Sequence, residues 1–137
     1  ALVDDEVVRD NDRIRMVELE VLCGMAHVPP KAELTMEIDG KQHSCKGSGD
    51  GPVDAAFNCI KQLFPHDAHL QLYQVHAVTE GTDAQAEVTV RLEEHGKTVN
   101  GSGADTDTMV ASVKAYLHAL NKLLVKREKT SQRALSS

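Results

Sequence analysis

Hydrophobic and polar residues alternate along most of this chain, and spacings of three and four residues replace the alternation twice. Val17, Leu19, Val21 and Cys23 alternate with Glu18, Glu20 and Leu22, the period of a half-buried strand. Leu34, Met36 and Ile38 alternate with Glu33, Thr35 and Glu37 in a second. Asp39-Gly40 is a tight-hairpin signal, so Lys41 to Lys46 should return antiparallel. Pro52 suits a first helical turn; Val53, Ala56, Phe57, Ile60, Leu63 and Phe64 then fall on one helical face, which Pro65 ends.

The second half repeats this order. Leu70 to Thr79 reads as a strand, with Tyr73, Val75 and Ala77 in the positions of Leu19, Val21 and Cys23. Ala84 to Glu94 alternates through Ala86, Val88, Val90 and Leu92, matching Ala32, Leu34, Met36 and Ile38 at the same offset of 54 residues. His95-Gly96 turns a hairpin. Val110, Val113, Leu117, Leu120 and Leu124 mark a last helix, expected to end near Arg127. The pattern predicts an α+β fold, an internal pseudo-twofold repeat of two βββα units, each an antiparallel three-stranded sheet with one helix. Residues 1–13 read as a linker or arm, 14–65 and 68–127 as the two repeats, and 128–137 as a frayed tail.

A glycine motif recurs at the same offset. Gly47-Ser48-Gly49-Asp50-Gly51 and Gly101-Ser102-Gly103-Ala104-Asp105 are each expected to form a turn that opens a helix. Such a turn aims free N–H groups at one point and favours an anion there. Two of them on equivalent lobes predict a small junction pocket suited to a carboxylate. Asp50, Asp54, Asp105 and Asp107 read first as helix caps or dipole partners, and second as partners for a ligand's ammonium.

Composition narrows the function without naming it. With 41% hydrophobic and 26% charged residues, the 137-residue chain reads as one soluble globular domain. A net charge of −6, with two Phe, two Tyr and no Trp, argues against nucleic-acid binding. No apolar run approaches the roughly 20 residues of a membrane span, and no secretory signal pattern is present. Cys23, Cys45 and Cys59 lack CxxC spacing and read as reduced thiols of a cytosolic protein. His66 and His69 follow Pro65 in a loop, so no metal site is expected. Neither GxSxG nor GxxxxGK[ST] occurs, and no nucleophile–base pairing points to catalysis. The chain opens at Ala1 without a Met, which suggests a piece of something longer.

Taken together, GSGDGPVDAAFNCIKQL, the strand with Tyr73, EGTDAQAEVTVRL and NGSGADTDTMVASVKAYLHALNKLL resemble the C-terminal regulatory domain of 2-isopropylmalate synthase, over roughly Arg13 to Lys126. Citramalate and homocitrate synthases share this domain more loosely. The resemblance implies a cytoplasmic homodimer of paired βββα units that binds L-leucine as feedback inhibitor and needs no cofactor of its own. The condensation of acetyl-CoA with 2-oxoisovalerate belongs to a metal-dependent (β/α)₈ barrel N-terminal to it. A barrel needs about 250 residues, so none of it lies in this chain. The alternatives are an isoleucine-sensing domain of citramalate synthase and a purely structural dimerisation module.

Position by position, the resemblance points to Gly49, Gly51, Val53 and Asp54, then to Tyr73 and Ala77, and to Ala84 and Ala86. The pseudo-symmetry adds Gly103, Ala104, Asp105, Thr106 and Thr108. Small side chains at Ala77, Ala84 and Ala86 would leave room for a branched ligand. Asp54 is acidic where relatives commonly carry a small apolar residue.

Overall fold

A computed structural model describes residues 13–22, 29–80 and 83–136, with side chains placed for 13–22, 29–77 and 84–126. The arm before Arg13, Cys23 and His27 lie outside the described residues. The chain order is β1 (Ile14–Leu22), β2 (Lys31–Ile38), β3 (Lys41–Ser48), helix α1 (Pro52–Leu63), β4 (His69–Glu80), β5 (Asp83–Glu94), β6 (Lys97–Asp105) and helix α2 (Thr108–Ser136). Two antiparallel sheets result, ordered β1-β2-β3 and β4-β5-β6, so the two βββα units are present. Both hairpins turn as expected. Asp39 (φ 51°) and Gly40 (φ 84°) pair with His95 (φ 51°) and Gly96 (φ 80°), the left-handed pairs of a two-residue turn.

The offset between the repeats is not uniform. Leu19 pairs with Leu34 as Tyr73 pairs with Val90, so β4 follows β1 at 54 residues while β5 follows β2 at 56. Both first strands carry an extra residue at the matching place, between Met16 and Glu18 and between Leu70 and Leu72. The hairpins at 39 and 95 and the helix starts at Pro52 and Thr108 keep the spacing of 56. The two additional residues therefore fall between β4 and β5. This corrects the uniform offset of 54: Val88 corresponds to Ala32, and Gly103 to Gly47. A shift of two residues leaves every strand side chain on its own face, so alternation could not reveal it.

The glycine motifs change meaning accordingly. Gly101-Ser102-Gly103 is not a turn but lies inside β6, and the turn into α2 is made by Thr106 and Asp107. Glycine is required there by close packing. A Cβ on Gly103 would stand 2.6 Å from the Ala111 carbonyl oxygen and 2.7 Å from the Ala115 nitrogen. Gly47 meets Ala55 and Cys59 in the same way in the first unit. These are contacts of helix backbone on strand backbone.

The helices are buried more widely than one stripe. On α1, Ala55 and Cys59 join Ala56, Phe57 and Ile60 in the core. On α2, Ala111, Ser112, Val113, Ala115, Tyr116, Leu117, Ala119, Leu120, Asn121, Leu123 and Leu124 are all buried. The reason is that α2 covers β5 and β6 and also packs against β1 of the other sheet and against α1. It continues to Ser136, past the expected end near Arg127.

Free sheet edges are closed by helix side chains. On α2, His118 Nδ1 accepts the Ser102 N–H (3.0 Å), Lys122 donates to the Asn100 carbonyl (2.9 Å) and Lys126 to that of Thr98 (3.2 Å). These three sit four residues apart, one per turn, along the β6 edge. Asn121 does the same for β1: its Oδ1 accepts the Arg13 and Ile14 N–H groups, both at 3.1 Å, and its amide donates to the Ile14 carbonyl at 2.9 Å. These contacts occupy the β6 edge and the start of the β1 edge, where an added strand would otherwise pair. Among the described residues no helix is long and apolar enough to cross a membrane.

Candidate functional site

Among the described residues several large apolar side chains on strands stay exposed, Val17, Leu22, Leu70 and Val75, and two of them, Leu70 and Val75, lie on β4. Tyr73, Val75 and Ala77 stand opposite Val90, Val88 and Ala86, on the face that is buried along β5. Because α2 covers β5 and β6 rather than β4, Val75 stays 46% exposed and Ala77 is exposed too. The half-buried Tyr73 closes one end of this shelf. Its ring lies edge-on to Phe57 of α1, with centroids 6.1 Å apart, and Phe57 in turn packs on Tyr116 of α2 at 4.4 Å.

The Tyr73 hydroxyl lies 2.6 Å from Ser112 Oγ. Ser112 donates its own proton to the Thr108 carbonyl at 2.7 Å, so Tyr73 is the donor in the pair. Strand pairing makes α2 antiparallel to β4, so Thr108 and Met109, one turn before Ser112, lie toward Val75 and Ala77. Val53 lies one turn before Phe57 on α1. Val53, Tyr73 and Met109 all pack partly buried against the core.

The two helix starts differ electrostatically. Asp107 caps α2, its Oδ1 accepting the Met109 N–H at 2.8 Å. Asp105 accepts the Asp107 N–H at 3.0 Å and pairs with Lys114 at 3.0 Å. The Asp107 N–H first, and Lys114 after it, hold the Asp105 carboxyl below its usual range. The expected capping role is observed for Asp107, whereas Asp105 holds the turn before the helix and pairs with Lys114. No side chain caps α1, where Gly51 is the N-cap residue, and the acidic Asp54 lies in its first turn.

Of the singled-out residues, Tyr73, Ala77, Ala84, Ala86 and Asp105 share the shelf face of the second sheet, where Ala86 pairs with both Ala77 and Asp105. Gly51 and Val53 lie at the start of α1 and Thr108 at the start of α2. Gly103 lies on the same face but under α2, and Gly49 lies against Ala55 and Asp54, so both are packing positions. Asp54 is exposed, with its Cβ beside Gly49. One turn on, Asn58 donates to the Ser48 carbonyl at 2.9 Å, so that stripe of α1 faces the β3 edge and not Tyr73. Ala104 pairs with Glu87 on the opposite sheet face, and Thr106 is exposed in the turn. The sequence did not single out Val75, Phe57, Ser112 or Met109 as site residues. The available signal was Ser112, a polar residue among small and apolar ones near the start of α2.

A wider cleft of about 720 Å³ opens on the other face of α2, bordered by Ile14, Met16, Glu87, Lys114, His118 and Asn121. Three of its polar side chains are already committed. His118 and Asn121 are already engaged in closing sheet edges, and Lys114 is paired with Asp105. Among the described residues no three His, Cys, Asp or Glu side chains converge as a metal-holding group.

Residues 1–124 match the LeuA allosteric (dimerisation) domain. The chain belongs to that family. It is 56% identical over 134 residues to a 2-isopropylmalate synthase of Caulobacter sp. (strain K31), covering 98% of this chain and 25% of the relative. It is 54% identical over 129 residues to that of Bradyrhizobium diazoefficiens, and 55% over 129 residues to that of Rhodopseudomonas palustris (strain BisA53), in each case covering 94% of this chain and 25% of the relative. The LeuA domain thus spans about a quarter of the length of these curated relatives.

Proposed function

We propose that this LeuA domain binds L-leucine on the shelf beyond Tyr73 and transmits feedback inhibition to a 2-isopropylmalate synthase barrel in the same polypeptide. The observation that carries the reading is an exposed apolar pair on β4, Val75 and Ala77, next to the Tyr73–Ser112 contact that joins this strand to the start of α2. Val75, Ala77 and Ala86 suit a branched aliphatic side chain. The first turn of α1 suits the carboxylate, and the ammonium would share the Asp105 carboxyl with Lys114 or meet backbone carbonyls. A micromolar ligand needs about −8 kcal/mol. Burying a leucine side chain contributes roughly 2–3 kcal/mol, so charge-assisted bonds at the two ends must supply most of the rest.

The exposed shelf also supports a homodimer, in which a second copy covers Val75 and Ala77 together with the ligand. The acetyl-CoA condensation and its divalent metal belong to the barrel, and this domain holds no cofactor. A cytoplasmic location follows from that biosynthetic role. The test is a thermal-shift panel of the twenty amino acids on this chain. Leucine should raise the melting temperature most, since a ligand selective for the folded state stabilises by mass action. A largest shift with isoleucine, or none with any amino acid, would refute the leucine assignment.

A further inference from the structure

Two thiols meet under α1. Cys45 of β3 pairs with Leu34, on the sheet face turned to the helix, and is partly exposed. Cys59 of α1 is fully buried, its sulfur 3.3 Å from the Ala32 carbonyl oxygen and 3.6 Å from that of Cys45. The Cys45 thiol turns up toward the same helix, 2.8 Å from Gln62 Oε1, and Gln62 lies one turn beyond Cys59. Both sulfurs therefore occupy one gap between β3 and α1. Burial first, and Cys45 as its neighbour second, push the Cys59 thiol up to about 11.

The second repeat shows that packing at this place does not need sulfur. The 56-residue correspondence puts Gly101 and Ala115 where Cys45 and Cys59 stand. There the helix presses directly on the strand, and a Cβ on Gly101 would overlap the Ala115 carbonyl oxygen. In the first repeat two side chains occupy that place, and their sulfurs adjoin.

We infer that Cys45 and Cys59 form an oxidisable pair that closes an intramolecular disulfide between β3 and α1 in the presence of a small-molecule disulfide such as oxidised glutathione. Cys45, the thiol with solvent access, attacks as thiolate one sulfur of the small disulfide. That S–S bond breaks, one glutathione leaves as thiol, and Cys45 carries the other. Cys59 then gives its proton to solvent and attacks the Cys45 sulfur, expelling the second glutathione, which takes up a proton. Two protein thiols are oxidised to one disulfide, and one small disulfide is reduced to two thiols. The raised Cys59 pKa makes the second step faster at alkaline pH.

The experiment incubates the reduced chain with oxidised glutathione at mildly alkaline pH, alkylates it in denaturant and digests it with trypsin. Lys46 lies between the two cysteines, so the bridge links peptides 42–46 and 47–61, while Cys23 falls in 16–31. The expected result is that linked pair, with alkylation lost at Cys45 and Cys59 together. In Cys45→Ser, Cys59 should stay fully alkylated. Glutathione held on Cys45 beside an alkylated Cys59, both thiols still alkylated, a bridge through Cys23, or oxidation of Cys59 in Cys45→Ser would each overturn the assignment.

Discussion

The hydroxyl of Tyr73 donates to Ser112 Oγ across 2.6 Å, and this bond ties β4 to the first turns of α2. It spans 39 positions of sequence and joins β4, which neither helix lies over among the described residues, to α2, which packs on β5, β6, β1 and α1. Tyr73, at the end of the shelf, is held by this contact and by the ring packing against Phe57.

Tyr73→Phe removes the bond but keeps the ring, and Ser112 retains its contact with Thr108. The expected loss is about 1 kcal/mol of stability, read by urea unfolding as a lower midpoint at unchanged slope. Tyr73→Ala removes the ring as well and should cost several times more.

Glycine substitutions should separate packing from exposure. Gly103→Ala places a methyl 2.6 Å from a helix carbonyl oxygen that cannot give way, and should cost about 1–3 kcal/mol. Gly51→Ala meets nothing closer than an Asp54 oxygen at 3.9 Å and should change the melting temperature little. Equal effects in circular-dichroism melts would mean that α2 is seated farther from β6 than described.

Asn121→Ala should release the start of β1. It strips the partner from two N–H groups and one carbonyl, of which Ile14 is 1% exposed. Leaving such groups unpaired costs about 1–3 kcal/mol each, discounted where water can enter. Hydrogen exchange at the Ile14 amide should accelerate well beyond that at Leu34.

Asp105 links stability to pH. Its folded pKa lies below the ordinary 3.8, so it contributes stability present above the unfolded value and lost as pH falls through the lowered folded one. Acid titration of the parent should show this loss beginning below about pH 4, and Asp105→Asn should lack that part of the dependence.

Strand alternation, the Asp39-Gly40 and His95-Gly96 turns and the two helix starts made the βββα repeat legible in the sequence. The two-residue insertion between β4 and β5 was not, because a strand's period is also two and each apolar residue keeps its face. For the same reason Gly101-Ser102-Gly103 looked like a second copy of the first turn, although it is strand pressed under a helix. The breadth of burial on α2 was hidden as well. Periodicity reports one apolar stripe, whereas α2 packs against both sheets and α1, with Ala111, Ala115 and Ala119 buried between the stripes. At the site, the alanines and Tyr73 could be placed by resemblance, but Val75 and Ser112 join them only through tertiary pairing.

Calorimetric titration of leucine into the parent chain and into Ala77→Phe tests the central reading most directly. Ala77 is exposed, so a phenylalanine there can fill the shelf without disturbing the core. The parent should bind about one leucine per chain with measurable heat, and Ala77→Phe, folded to the same melting temperature without ligand, should bind at least tenfold more weakly. Equal binding by both proteins, or no heat from the parent, would contradict a leucine site on the strand beyond Tyr73.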